Sequence, residues 1–388
     1  MHIIFASAFF IDDDRCGLSG MPEYVYKMST YMKKRGHDVA IVAGYSYDRE
    51  WVYKGIQVYN YETAFNLEDS KATVISARIV EREMHLQRKL KEINSNAPID
   101  IVQYAGFSGV GFGHSLKCPA IVRLSTYSKC VYREHDLMKG KCNTYSFWER
   151  LSGKKCTGVI GPSKRIADIF AKDIERSVTL METPFPEIDK SKWDYKPFSK
   201  LLAGKEYLLF SSSATFDKGF SVLVDALPIV LRRYENLHMV IAGWNSVTDG
   251  YDAVRTLKAK TSKFKGRVLC LGGLSHDTLF PIIDNAKALL VPSIADNFPN
   301  IALEAISLKT FVIGTREAGL EQIILDDKNG YLIDAGNSKQ LIDAIDKLCT
   351  SSKQVCYDEE VEEYIKPYLP ENAVTKLENY YKCMLVKR

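Results

Sequence analysis

Val291-Pro292-Ser293-Ile294-Ala295-Asp296-Asn297-Phe298-Pro299-Asn300-Ile301-Ala302-Leu303-Glu304-Ala305 changes character twice within one short run. Ala288 to Val291 is apolar and reads as a buried strand that Pro292 ends. Asn300 suits a helix N-cap, and Ile301 to Leu308 continues as helix. Asp296 is thereby placed in a loop after a strand, and Glu304 one turn into the helix. In open α/β sheets, ligands bind beyond the carboxyl ends of the strands, where the unpaired amides of a helix N-terminus attract anions. A carboxylate on each side of such a terminus can accept hydrogen bonds from sugar hydroxyls while the amides hold a diphosphate. Taken singly, Glu304 is an ordinary helix charge and Asp296 an ordinary turn residue.

The same alternation extends in both directions. Upstream lie strands at Tyr207–Ser212, His238–Ala242 and Arg267–Leu271, with a helix over Ser221–Tyr234 after the first. Downstream lie a strand at Phe311–Gly314 and a helix at Gln340–Cys349. Pro184 to Pro197, with three prolines and several charges, reads as a linker. Before it the alternation has already run once. His2–Phe10 and Asp38–Ala43 read as strands around a helix Pro22–Lys34, with Tyr24, Val25, Met28, Tyr31 and Met32 on one side and Gly36 just past its end. Strand, helix, strand with short links is a parallel βαβ unit. Further strands fall at Ile56–Tyr61, Ile99–Tyr104, Ala120–Leu124, Gly158–Gly161 and Val178–Met181. A long helix covers Ser76–Asn94, and Arg78, Arg82, Arg88, Lys89 and Lys91 read as its solvated side. The expectation is an α/β chain of two Rossmann-like doubly wound parallel-sheet domains: 1–186, 187–366, and a last helix in 367–388 that crosses back to the first domain.

Two more loops follow strands. In Thr215-Phe216-Asp217-Lys218-Gly219, a lysine just before a helix is placed to meet a phosphate as a point charge. Ile11 to Met21 holds Gly17, Ser19 and Gly20, small residues that let backbone amides approach an anion. It has no G-x-G-x-x-G, which disfavours a nicotinamide or flavin enzyme. Asp12-Asp13-Asp14 reads as a solvated acidic loop, so no metal is expected. Trp244 and Asn245, after His238–Ala242, are placed to influence a nucleobase. Tyr127, Lys129, Tyr132, Arg133, His135 and Lys139 form an aromatic and basic stretch that suits an anionic glycan, with a plain solvated loop as the blander reading.

Composition narrows the class. The chain has 388 residues, 52 Lys and Arg against 48 Asp and Glu, and a net charge of +4. That balance gives no argument for nucleic acid. Met1 to Phe10 reads as a strand rather than a secretion leader, since no cationic segment precedes it. No apolar run is long enough to cross a bilayer. The cysteines, nine and therefore odd, form no C-x-x-C pair and read as free thiols of a reducing, cytoplasmic compartment. Cys130, Cys142 and Cys156 near His135 match no common zinc spacing.

Together these stretches resemble the family 4 glycosyltransferases, retaining enzymes of the GT-B fold with two such domains facing a central cleft. Arg35-Gly36-His37-Asp38-Val39 is similar to that family's first βαβ unit, Asp217-Lys218-Gly219 to its phosphate loop, and Ile241-Ala242-Gly243 and Leu271-Gly272-Gly273 to its intervening strand ends. Pro292-Ser293 through Glu304 is similar to its two-carboxylate motif, and Gly319, Glu321 and Asn329-Gly330 to the stretch after it. The resemblance implies that Glu304 holds a donor ribose, Asp296 contacts sugar hydroxyls and Lys218 neutralises the leaving diphosphate. It implies donor-binding roles for Gly219, Gly243, Asn297, Phe298, Pro299, Asn300 and Ile301, and an acceptor or phosphate role for Gly17, Ser19, Gly20 and Ser125. No cofactor or metal is implied. The donor is a UDP- or GDP-linked hexose-type sugar, the acceptor a glycan or lipid-linked saccharide, with peripheral association at the inner membrane face compatible with a lipid-linked acceptor.

Four positions depart from that pattern: Asp296 stands for the usual Glu, Ser213 for an Arg, Ser125 for a His, and Lys309 for a Gly after the Glu helix. Nearby cations such as Arg123 are candidates to replace the lost charge. Two alternatives follow from the departures and the shared architecture: a non-catalytic GT-B scaffold that binds a nucleotide or partner, and a sugar-nucleotide epimerase.

Overall fold

The computed structural model describes residues 1–10, 20–45, 49–63, 71–125, 127–131, 139–245, 247–248, 251–264, 266–351 and 357–386. Among these, 1–10, 20–184 and 368–386 form one compact unit and 185–367 a second.

In the first unit, β1 (His2–Ser7), β2 (Asp38–Tyr45), β3 (Glu50–Tyr53), β4 (Ile56–Glu62), β5 (Ile101–Gly106), β6 (Ala120–Leu124), β7 (Gly158–Gly161) and β8 (Thr179–Leu180) form one sheet in the order β3-β4-β2-β1-β5-β6-β7-β8. Every pairing is parallel except β3 with β4. Ile3, Ile4, Phe5 and Ala6 are all buried, so β1 reads as an unbroken apolar run because both faces of the sheet are covered. The helices are α1 (Met21–Lys34), α2 (Ala72–Asn96), α3 (Ser128–Val131), α4 (Lys139–Lys155) and α5 (Lys164–Ile174). Ser163 caps α5 through its side chain, accepting from the Ile166 amide at 3.4 Å.

The long helix corrects one expectation. Arg82 does not lie on a solvated face: it is fully buried, and its Nη1 and Nη2 donate to Oγ and O of Ser108 at 2.6 and 2.8 Å. Glu83, beside it, accepts from the amides of Gly111 and Gly113 at 3.0 and 3.2 Å. The turn after β5 exposes backbone groups that must be paired, and α2 supplies the partners. The stretch after β6 is corrected likewise. Tyr127 is buried, and Lys129 pairs with Asp173 at 2.7 Å, so neither stands free in a glycan-binding loop. Tyr132, Arg133 and His135 lie outside the described residues. The cysteines keep to the expected thiol form, without disulfides among the described residues: Cys142 donates to Ser128 O and Cys156 to Gly111 O, separate carbonyls on separate turns. Burial raises the Cys156 thiol to about 12, leaving it inert.

The second unit opens with α6 (Lys196–Leu201) in the proline-bearing segment, which is folded rather than free chain: Trp193 is buried and the Asp194 amide donates to Asp277 O at 2.9 Å. Then come β9 (Glu206–Ser211), α7 (Phe220–Arg233), β10 (Leu237–Ala242), a small hairpin of β11 (Val247–Thr248) and β12 (Tyr251–Asp252), α8 (Ala253–Lys260), β13 (Val268–Gly272), α9 (His276–Asp284), β14 (Ala288–Val291), α10 (Asn300–Ser307), β15 (Val312–Thr315), β16 (Gly330–Ile333), α11 (Ser338–Thr350) and α12 (Glu359–Ile365). The sheet is wholly parallel, in the order β13-β10-β9-β14-β15-β16. From β9 the chain winds one way through β10 and β13, then returns to β14 and winds the other way. The reversal makes a crevice at the carboxyl ends of β9 and β14, the point where doubly wound sheets bind ligands.

The last helix, α13 (Pro370–Val386), packs within the first unit. Tyr381 donates to Gln103 Oε1 at 2.5 Å, and Arg35 to Glu378 at 2.9 Å. Hydrogen bonds from Lys382 and Arg35 hold the Glu378 carboxyl down at about 2. Among the described residues, no helix is long and apolar enough to cross a membrane.

Candidate functional site

The loops that flank the switch point of the second unit carry Lys218 and Asp296. After β9 the chain turns through 212–219 into α7, and after β14 through 292–299 into α10. The two loops are joined: the carbonyl of Asp217 accepts from the amides of Ile294 and Ala295 at 2.8 and 3.1 Å. Gly219 makes this approach possible. Its φ is 70°, and a Cβ there would lie 1.8 Å from the Pro292 carbonyl oxygen, so only glycine fits. Gly243, at the end of β10, is required in the same way, since a Cβ would lie 1.9 Å from the Ser212 carbonyl oxygen.

Within this frame Lys218 Nζ donates to Asp296 Oδ2 at 2.8 Å and stands 4.0 Å from Asp217. Burial pulls the Lys218 ammonium down, but the Asp296 charge and hydrogen bond, helped by Asp217, outweigh it and leave the group above its ordinary value. Asp296 is fixed further by Ser293 Oγ at 3.3 Å and by the Asn297 amide at 2.8 Å. The result is a preorganised ammonium whose counter-charge is held by its own loop.

The helix after that loop begins at Asn300. Asn300 is not its N-cap: Pro299 occupies the cap position, and no side chain caps the terminus. Of the amides expected to face a ligand, Asn297 N–H donates to Asp296 and Phe298 N–H to Ala318 O at 3.1 Å. Ile301 remains in the first turn, where the next amide, that of Ala302, donates to Pro299 O at 3.1 Å. Phe298 is buried with φ 74°, a left-handed conformation that a bulky residue adopts only where its surroundings impose it. Glu304 is 3% exposed, and its Oε2 is buried with no hydrogen-bond partner among the described residues. Its Oε1 lies 3.3 Å from His276 Nε2. Ser293 and His276 were not singled out from the sequence. His276 follows Gly272-Gly273-Leu274-Ser275, so its place after a strand end was the available signal.

The loop after β9 also meets the end of β10, where the Ala214 amide donates to Trp244 O at 2.9 Å. Trp244 is exposed beside Gly273, and Asn245 is engaged with Asp252 at 2.9 Å and with the Val254 amide. Asn329 is a fold residue, buried and bonded to the backbone of Ile323 and Leu325. In the first unit, Gly20 precedes α1 with φ 61°, Ser125 is half-buried at the end of β6, and Gly17 and Ser19 lie outside the described residues. Arg123 is buried over the Tyr24 ring, 3.5 Å from its centroid, and donates to Thr183, so its guanidinium is already engaged. Glu149 accepts from the amides of Ser108 and Ser128 and from Ser128 Oγ, stapling the turns after β5 and β6 to α4.

Comparison with known proteins agrees with this architecture. The family described as Glycosyl transferases group 1 matches residues 191–366. An uncharacterized glycosyltransferase of Methanocaldococcus jannaschii is 25% identical over 183 residues, 47% of this chain and 46% of that protein. The chain spans less than half the length of the first curated relatives it matches. Among solved structures, sucrose-phosphate synthase from Thermosynechococcus elongatus superposes with TM-score 0.79 at 13% identity over 100% of both chains. Anabaena HepE in complex with UDP and glucose superposes with TM-score 0.70 at 14% identity over 99% of this chain and 100% of that one. The chain thus has the GT-B fold, and its residues 191–366 are similar to the glycosyl transferases group 1 family.

Proposed function

We propose that the protein is a retaining, family 4-type glycosyltransferase that moves a hexose-type sugar from a UDP- or GDP-linked donor to a glycan or lipid-linked acceptor. The observation that carries this reading is the fixed Lys218–Asp296 pair at the switch point of the second unit, in the loop that leads into α10, with the unpartnered oxygen of Glu304 on that helix. Lys218 meets the diphosphate as it leaves, and Asp296 accepts from hydroxyls of the donor sugar. Glu304 accepts from the ribose. The amide of Ile301 and the backbone at Gly219 and Gly243 border the phosphates and sugar. Catalysis is then stabilisation of a leaving group by charge already in position, and it needs no metal or cofactor. Gly20 and Ser125 belong to the acceptor side. The chain works in the cytoplasm, at the inner membrane face when the acceptor is lipid-linked.

The test is transfer from a panel of UDP- and GDP-sugars, together with thermal shift against UDP, GDP, ADP, CDP and dTDP. A ligand that binds only the folded state raises Tm. Selective stabilisation by one base, lost in Glu304→Ala, and transfer lost in Asp296→Ala are expected. Full activity in both variants overturns the reading. Ser213, where an arginine would bring a second phosphate cation, favours one other reading, a scaffold that binds nucleotide without turnover. Binding without turnover of any donor would establish it.

A further inference from the structure

His276 opens α9, and its Nε2 lies 3.3 Å from Glu304 Oε1. Its ring is not loose: it stacks on Phe280 one turn later, with centroids 5.2 Å apart and planes at 30°. Glu304 is almost wholly buried, and Oε2 has no hydrogen-bond partner among the described residues. A buried acceptor left unpaired costs about 1–3 kcal/mol, more when charged, so such an atom marks a place for a ligand donor. The two oxygens of one carboxylate are therefore in different situations, one taken by an imidazole and one open.

We propose that His276 is a positioning residue that occupies one oxygen of Glu304, so that the carboxylate reads a single ribose hydroxyl of the nucleoside diphosphate. This deepens the glycosyltransferase reading and rests on it. A carboxylate open on both oxygens accepts from the 2′- and 3′-hydroxyls together. With Oε1 held by His276 and the ring held by Phe280, only Oε2 is presented, and one hydroxyl carries the recognition while the other is tolerated.

The experiment is calorimetric titration of the whole chain with UDP and GDP and their 2′-deoxy and 3′-deoxy forms. Wild type is compared with His276→Phe, His276→Gln and Glu304→Ala, each checked for an unchanged cooperative melt. In wild type, removing one hydroxyl is expected to weaken binding about tenfold or more, as for a hydrogen bond to a charged group, and removing the other to change it little. His276→Phe keeps the stack and removes the donor, and should abolish that asymmetry. His276→Gln, whose amide nitrogen reaches the position of Nε2, should restore it. Equal losses for both deoxy forms in wild type, or an asymmetry that survives in His276→Phe, would overturn the role of His276 while leaving Glu304 in place. Unchanged affinity in Glu304→Ala, or no binding of any nucleoside diphosphate, would overturn the donor-site reading and this inference with it.

Discussion

Lys218 Nζ stands 2.8 Å from Asp296 Oδ2, and the two residues come from loops that follow neighbouring strands at the point where the strand order of the second unit reverses. Lys218→Ala should lower kcat for sugar transfer about 10²–10³-fold, the usual effect of removing one preorganised electrostatic group. Stability should change by no more than about 1 kcal/mol, because the lysine side chain is 30% exposed and solvent screens the pair. Steady-state kinetics beside thermal melts separate the two effects. A large fall in Tm with kcat per folded molecule unchanged would make the pair structural.

Gly219→Ala should be far more damaging to the fold than a surface substitution. The added methyl meets the Pro292 carbonyl in a left-handed backbone, and the two loops that hold Lys218 and Asp296 must part to admit it. A loss of about 3 kcal/mol is expected, with nucleotide-induced stabilisation lost as well. Urea unfolding with and without nucleoside diphosphate measures both.

Lys309→Gly should stabilise the protein. Lys309 has φ 61° just past the end of α10, the position where helices favour glycine. Removing the side chain relieves about 1 kcal/mol of left-handed strain, at the expense of an exposed pair with Glu362 at 3.5 Å and a long contact over the Tyr357 ring at 5.8 Å. A Tm rise of about 2–4 °C is expected for a unit of this size. An unchanged or lower Tm would show that the surroundings already compensate the strain.

Glu149 should make the first unit less stable as pH rises. Burial lifts its carboxyl from 4.5 to about 7, against the donors from Ser128 and Ser108. Between those values the unfolded chain has released the proton while the folded chain retains it, so stability falls through that window and levels off above it. The contribution is on the order of 3 kcal/mol. Subtracting the urea-denaturation curve of Glu149→Gln from that of wild type at each pH isolates it. A difference that does not vary between pH 4.5 and 7 would remove the effect.

Local pattern made much of this chain legible. The spans Ala120–Leu124, Gly158–Gly161 and Ala288–Val291 are strands as read, because continuous apolar runs bounded by turn residues are a property of neighbouring residues. The loops that hold Lys218 and Asp296, and the helix that carries Glu304, were readable for the same reason. Helix caps were less so: Asn300 has the right chemistry for a cap, but Pro299 takes the position.

What the sequence by itself determined was the alternation of strand and helix, the two-unit division and the loops at the strand ends. What only the tertiary structure decided was which side chains those loops and helices meet. Periodicity put Arg82 among exposed cations, but the turn after β5, far along the chain, needed donors and drew it inside. The approach of His276 to Glu304 and the joining of Asp217 to Ile294 depend on the order of strands in the sheet. That order is set by long-range pairing and packing rather than by the residues beside each one in sequence.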